Sequence, residues 1–64
     1  MFFSFGFKNK TIKELRKNRG FTAKELALRL RVNVSLVKKV DNTRLKNVPE
    51  PLQSKLVPHL RGDN

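Results

Sequence analysis

The chain has 64 residues and carries 15 lysines and arginines against 5 acidic residues, which gives a formal net charge of +10. That length allows one small domain, whose stability usually depends on help such as a partner or a second copy. The sequence has no cysteine and one histidine, which excludes disulfides, thiolate metal sites and a cluster of histidine ligands. The charge favours a polyanionic partner: nucleic acid, an anionic membrane surface or an acidic protein.

The first ten residues form an aromatic and then basic N-terminal arm (1–10). Its phenylalanines alternate with small residues, which is the periodicity of a strand. Three interpretations stay open: the arm covers the chain's own core, it pairs with a second copy in a homodimer, or it dips into a membrane. Through the arm the chain could also contact another protein. The candidate dimer interface combines phenylalanines of the arm with two leucines near the C-terminus. These residues are Phe3, Phe5, Phe7, Leu56 and Leu60.

Neither a membrane span nor a secretion signal is recognisable in the sequence. No stretch approaches the roughly 20 apolar residues of a spanning helix. The positive charges follow the apolar start instead of preceding it, unlike those of a signal peptide. We therefore expect an unprocessed, cytoplasmic protein with no membrane partner.

Two capping boxes mark the starts of the first two predicted helices. Thr11 and Glu14 have the required spacing, and Thr22 and Glu25 repeat it. In such a box the threonine side chain accepts from the third helical amide while the glutamate reaches back to the cap. Asn33 is a third candidate cap.

The helix signals fall within residues 11–60, followed by a short tail at 61–64. The expected fold is all-α, a small helix-turn-helix bundle of four or five short helices, with or without a short N-terminal strand or arm. The second and third helices are joined by the short turn typical of a helix-turn-helix. A tail helix near Pro51 should end or kink at Pro58. The first three helices are expected at about 12–18, 23–29 and 34–42.

Over about residues 12–47 the sequence resembles the lambda-repressor-like, Xre/Cro-type family of DNA-binding domains. That family shows a pattern of Arg-x-x-x-Gly-hydrophobic-Thr-x-x-Glu-Leu-Ala. The residues that match it are Arg16, Gly20, Phe21, Thr22, Glu25, Leu26 and Ala27. The resemblance implies an all-helical domain whose third helix enters the DNA major groove. It also implies a structural ion pair between Arg16 and Asp41.

The sequence departs from the family pattern at several positions. Arg31 stands in the turn where the family usually has glycine. A left-handed backbone at such a residue costs roughly 1 kcal/mol, so either the turn differs or stability is given up. Ala23 and Val34 replace glutamines that read bases or clamp phosphates in the family, and Asp41 replaces a glutamate.

The predicted function is that of a sequence-specific double-stranded DNA-binding transcriptional regulator, a small phage or bacterial repressor that inserts helix 34–42 into the major groove. The candidate base-reading residues lie on the outer side of that helix: Val34, Ser35, Lys38 and Lys39. The candidate phosphate contacts come from the start of the second helix and the loop after the third: Thr22, Asn42, Thr43, Arg44 and Lys46.

Two further functions remain as alternatives. A protein-interaction module, such as an anti-repressor or a polymerase-binding factor, would keep the fold without the DNA reading. A cationic membrane-active peptide is less favoured, because three capped helices indicate a globular core. The acids are scattered, the glycines are isolated and the serines lack a nearby base, so we expect no enzyme activity, no cofactor and no metal.

Overall fold

The computed structural model describes residues 6–61. Four α-helices, α1 to α4, occupy Ile12–Asn18, Ala23–Leu30, Val34–Val40 and Leu52–Arg61. Single 3-10 turns occupy Phe7–Asn9 and Leu45–Asn47. Over this part of the chain no strand forms, and only an isolated antiparallel bridge joins Thr11 to Arg44. The all-α class is confirmed. Of the expected arm, residues 1–5 lie outside the described chain.

Both capping boxes form. The Glu14 amide donates to the Thr11 hydroxyl oxygen at 3.2 Å, and the Thr11 amide donates to the Glu14 carboxylate at 3.0 Å. At α2, Thr22 and Glu25 make the same two bonds at 3.0 and 2.8 Å. Each box provides partners for amides that a helix start otherwise leaves without one. These boxes therefore set where α1 and α2 begin, as the sequence predicts.

The turn between α2 and α3 keeps a left-handed residue although no glycine is present. Arg31 has φ 59 and ψ 45, and it is the only non-glycine residue with positive φ among residues 6–61. Asn33 then caps α3, accepting from the Ser35 amide at 2.9 Å. The three-residue turn lets α2 and α3 pack against each other more extensively than any other two elements of the described chain. The arginine therefore gives up stability and leaves the turn intact.

Helix α3 ends at Val40, two residues before its predicted end. The chain beyond it pairs with the start of α1 instead of continuing the helix. Backbone amides of Lys13 and Ile12 donate to the carbonyls of Asp41 and Thr43 at 2.9 and 3.1 Å. These non-local bonds compete with further helical bonds and hold the loop after α3 against α1.

The core is apolar throughout, with no buried polar or charged residue between residues 6 and 61. It includes three of the five side chains predicted for a dimer interface: Phe7 is 8 % exposed, Leu56 0 % and Leu60 3 %. These three pack inside their own chain, so that part of the predicted interface is not available to a second copy. Phe3 and Phe5 lie outside the described residues. Phe7 therefore follows the interpretation in which the arm covers its own core.

Helix α4 begins directly after Pro51 and continues past Pro58 to Arg61. Of the two outcomes expected for Pro58, an end or a kink, the structure therefore excludes the end. A proline in a helix interior loses one hydrogen bond and costs about 3 kcal/mol. Leu56 and Leu60 lie one turn apart and are buried together. Of the two, only Leu60 lies beyond Pro58, and its full burial contributes about 1.5–3 kcal/mol, which offsets much of the cost of the proline.

The left-handed residue yields a stability prediction. Arg31→Gly should stabilise the protein by about 1 kcal/mol, because glycine adopts positive φ without a Cβ clash. For a domain of this size that is a rise in Tm of about 4–8 °C in a thermal unfolding experiment. Arg31→Ala is the control, because alanine removes the same side chain but keeps the clash. A glycine variant no more stable than the alanine variant would contradict the assignment.

Candidate nucleic-acid interface

The acidic side chains within residues 6–61 are all engaged in hydrogen bonds inside the chain. Glu14 and Glu25 complete the capping boxes, and Glu50 accepts from the Ser54 amide at 3.0 Å. Asp41 binds Arg16. The Thr11 amide, hydrogen-bonded to Glu14, holds the pKa of that carboxyl below its ordinary value, helped by the charges of Lys10 and Arg44.

The basic side chains, in contrast to the acidic ones, lie mostly exposed on the surface. Every lysine and arginine except Arg16 is exposed. Because the described carboxylates serve helix starts and one ion pair, the surface of the folded domain is dominated by positive charge. Such a surface attracts polyanions over distances of about a Debye length.

Arg16 and Asp41 form the ion pair that the family resemblance implies. The Arg16 Nε and Nη2 atoms donate to the two Asp41 carboxylate oxygens at 3.0 and 2.8 Å. The Arg16 Nη1 atom donates to the Phe21 carbonyl at 3.0 Å. Hydrogen bonding to Asp41 raises the pKa of Arg16. One guanidinium thus links α1, the residue that precedes the α2 cap and the end of α3.

The exposed side of α3 is formed by Ser35, Lys38 and Lys39, here called the α3 outer face. Successive helical residues are about 100° apart, so these side chains lie opposite the buried Val37 and Val40. Asp41, the only acid between residues 29 and 47, is held by Arg16. The face therefore presents two ammonium groups and a hydroxyl with no competing carboxylate of its own helix.

The other base-reading candidates are modified by their surroundings. Val34 is half-buried and packs against the core, so only its edge can meet a thymine methyl group. The Ser35 hydroxyl donates to the Asn33 side chain at 2.7 Å, which commits its hydrogen and leaves its oxygen as an acceptor. In the major groove an acceptor pairs with the amino groups of adenine or cytosine.

The loop after α3 presents three of the candidate phosphate contacts. Asn42, Arg44 and Lys46 are exposed, whereas Thr43 is half-buried. The Leu45 amide donates to the Lys10 carbonyl at 3.0 Å, which adds a bond between this loop and the segment just before α1. The loop backbone is therefore hydrogen-bonded at several points, and its exposed side chains project from that bonded segment.

Thr22 is exposed, but most of its hydrogen-bonding groups are already engaged within the chain. Its amide already donates to the Glu25 carboxylate at 2.8 Å, and its hydroxyl oxygen accepts from the Glu25 amide. Only its hydroxyl hydrogen is left to donate to a phosphate, and the Glu25 carboxylate beside it would repel that phosphate. The start of α2 is therefore a weaker phosphate site than the sequence indicates.

A further basic cluster lies around Phe21 and was not singled out from the sequence. The guanidinium carbons of Arg29 and Arg19 lie 4.6 and 5.6 Å from the centre of the Phe21 ring. Arg19 Nε also donates to the His59 carbonyl at 3.3 Å. Two sequence separations could have indicated this cluster. Arg19 is two residues before Phe21, and Arg29 is about two helical turns beyond it. These three residues are called the Phe21 cluster.

A scan against protein-family models, a search of curated proteins and a search of solved structures each returned no match. The family resemblance of the sequence therefore stays a prediction. Within residues 6–61, no helix has the length and apolar character needed to cross a bilayer. The same residues contain no group of three or more histidine, cysteine, aspartate or glutamate side chains placed to hold a metal ion.

The ion pair yields the second prediction. Asp41→Asn should destabilise the protein by about 1.5–3 kcal/mol, because the Arg16 charge, largely shielded from water, loses its charged partner. The double variant Arg16→Met with Asp41→Leu should lose less free energy of unfolding than Arg16→Met and Asp41→Leu lose in sum as single variants. The reason is that no unpaired charge remains in the double variant. Urea unfolding measures each value.

Lys17→Met serves as the control, because Lys17 is an exposed residue of the same helix. Its effect should stay within about 0.5 kcal/mol. An Asp41→Asn variant as stable as this control would show that the pair does not hold the fold together.

Proposed function

We propose that the chain is a sequence-specific double-stranded DNA-binding transcriptional regulator whose α3 enters the major groove. The observation that carries the proposal is the α3 outer face: Ser35, Lys38 and Lys39 are exposed on a helix whose opposite side is anchored in the core. The major groove of B-DNA is wide enough to admit one α-helix. The helix-turn-helix geometry and the lambda-repressor-like relationship belong to the same proposal.

Each element has a part in the proposed complex. Lys38 and Lys39 donate to the guanine acceptors, and the Ser35 oxygen accepts from an amino group of adenine or cytosine. Arg44 and Lys46 contact phosphates on one side of the groove and set the position of α3 without reading sequence. Backbone hydrogen bonds from the segment after α3 to the start of α1 and to Lys10 connect the two sets of contacts.

We further propose that the protein acts in the cytoplasm as a homodimer on two half-sites. In a dimer with a twofold axis, each copy would place its α3 in one of two half-sites about one turn of the DNA helix apart. Because Phe7, Leu56 and Leu60 are buried within the chain, the remaining candidates for the dimer contact are Phe3 and Phe5. No cofactor, metal or catalytic step is part of this function.

A second candidate function is a protein-interaction module, favoured by Leu28. This α2 side chain is 69 % exposed, and it is the one large hydrophobic residue so exposed within residues 6–61. It lies on the side of α2 away from the core. An apolar side chain surrounded by water is a candidate contact for a partner protein, although a single exposed leucine is common on protein surfaces.

Selection of bound sequences from a random duplex pool tests the leading proposal. The selected duplex should bind at least tenfold more tightly than a scrambled one at about 100 mM salt. Lys38→Ala and Lys39→Ala should each cost about 1–3 kcal/mol on the selected duplex and little on the scrambled one. Arg44→Ala and Lys46→Ala should weaken both duplexes alike and reduce the salt slope by about 1 each.

Lys55→Ala is the matched control, since it removes one exposed charge from α4. Selection of no preferred sequence, together with equal losses for the lysines of α3 and for Lys55, would refute sequence reading. Regulatory activity that survives loss of Lys38 and Lys39 but not Leu28→Ser would favour the protein-interaction module.

A further inference from the structure

The Phe21 cluster holds two positive charges beside one aromatic ring. The Arg29 and Arg19 guanidiniums lie 4.6 and 5.6 Å from the ring centre, within the range of a cation–π interaction. The ring belongs to the residue that precedes the α2 cap, and its carbonyl is held by Arg16. Three elements thus meet at the cluster: the end of α1, the last turn of α2 and, through the His59 carbonyl, α4.

No carboxylate of residues 6–61 neutralises either guanidinium. Glu14, Glu25 and Glu50 are engaged at helix starts, and Asp41 is engaged with Arg16. Both guanidiniums contact the same ring, and without a counter-charge their like charges repel one another. A bound anion would relieve that repulsion. Because folding already brings both charges to the ring, part of the free-energy cost of assembling an anion site is met before the anion binds.

The two guanidiniums also keep their terminal nitrogens available. Arg19 uses only its Nε, at 3.3 Å from the His59 carbonyl. Arg29 makes no hydrogen bond to the described chain and is positioned by the ring contact alone. A guanidinium held in this way loses less side-chain freedom on binding than a freely moving one. It still presents the planar fork of donors that matches a phosphate.

We propose that Arg19 and Arg29 form a phosphate-binding site on the Phe21 ring. In the DNA complex proposed above, on which this part rests, the site holds a segment of the sugar–phosphate backbone. Phosphate fits the site better than an isolated carboxylate, because a nucleic-acid strand offers several phosphates in close succession to the two guanidiniums on the ring. An acidic protein segment is the competing occupant that the test separates.

The test compares variants on the selected duplex and on a scrambled one across 50–200 mM salt, a range over which phosphate contacts weaken markedly. Arg19→Ala with Arg29→Ala should lower affinity about tenfold on both duplexes and reduce the salt slope by about 2. Lys17→Ala with Lys55→Ala removes the same charge from exposed positions outside the cluster. It should lower affinity less than threefold.

Two variants separate positioning from charge. Phe21→Leu keeps every charge but removes the ring, and Arg19→Lys with Arg29→Lys keeps charge but removes the planar forks. Each should lose at least threefold in affinity while circular dichroism shows the same helix content. Equal losses for the cluster and control pairs, or full affinity without the ring, would overturn the site.

A second readout does not depend on DNA recognition. Sodium pyrophosphate is titrated into the ¹⁵N-labelled wild-type chain at constant ionic strength, and the arginine Nε–Hε signals are followed by NMR. Saturable shifts of the Arg19 and Arg29 signals, absent in Phe21→Leu, are expected. If no duplex is bound but these shifts occur, the DNA proposal fails and the phosphate site stands. If neither signal moves, or if a poly-glutamate peptide shifts them more strongly than pyrophosphate, the phosphate site is refuted.

Discussion

The contact between Arg16 and Asp41 is the interaction on which the rest of the arrangement depends. Its two charge-assisted bonds join α1 to the end of α3, and the third bond of the same guanidinium reaches the Phe21 carbonyl. Because both side chains are largely shielded from water, at 12 % and 15 % exposed, competition from solvent is limited. Together with the backbone bonds of Ile12 and Lys13, the pair holds the end of α3 and the following loop against α1.

A second consequence concerns charge. A chain with a net charge of +10 would repel itself if its few acids were scattered over the surface without partners. Here the described acids are placed where each does structural work, three at helix starts and one in the ion pair. The positive charge is consequently concentrated on the outside. This separation of engaged acidic side chains from exposed basic ones supports a polyanionic partner more strongly than the net charge alone does.

Local signals predicted the fold well and the surface less well. The capping boxes at Thr11 and Thr22 depend on contacts three residues apart, so their sequence spacing is sufficient to locate both helix starts. The continuation of α4 past Pro58 depends on burial of leucines by other helices, which sequence periodicity does not reveal. The same holds for the burial of Phe7 and for the ring contact of Arg29, since both need the tertiary arrangement. Base-reading candidates on α3 were predicted from helical periodicity, but the Ser35 bond to Asn33 was not.

Guanine reading by the α3 lysines, as proposed above, can be tested directly in the major groove. Replacing each guanine of the selected duplex by 7-deazaguanine removes the major-groove N7 acceptor while leaving the phosphates and Watson–Crick pairing intact. We expect this change at one or more guanines to weaken binding of the wild-type protein by about 1–3 kcal/mol. The same change should have no effect on the variant with Lys38 and Lys39 replaced by alanine. If the wild-type protein binds the selected duplex equally well with guanine and with 7-deazaguanine, guanine reading by these lysines is contradicted.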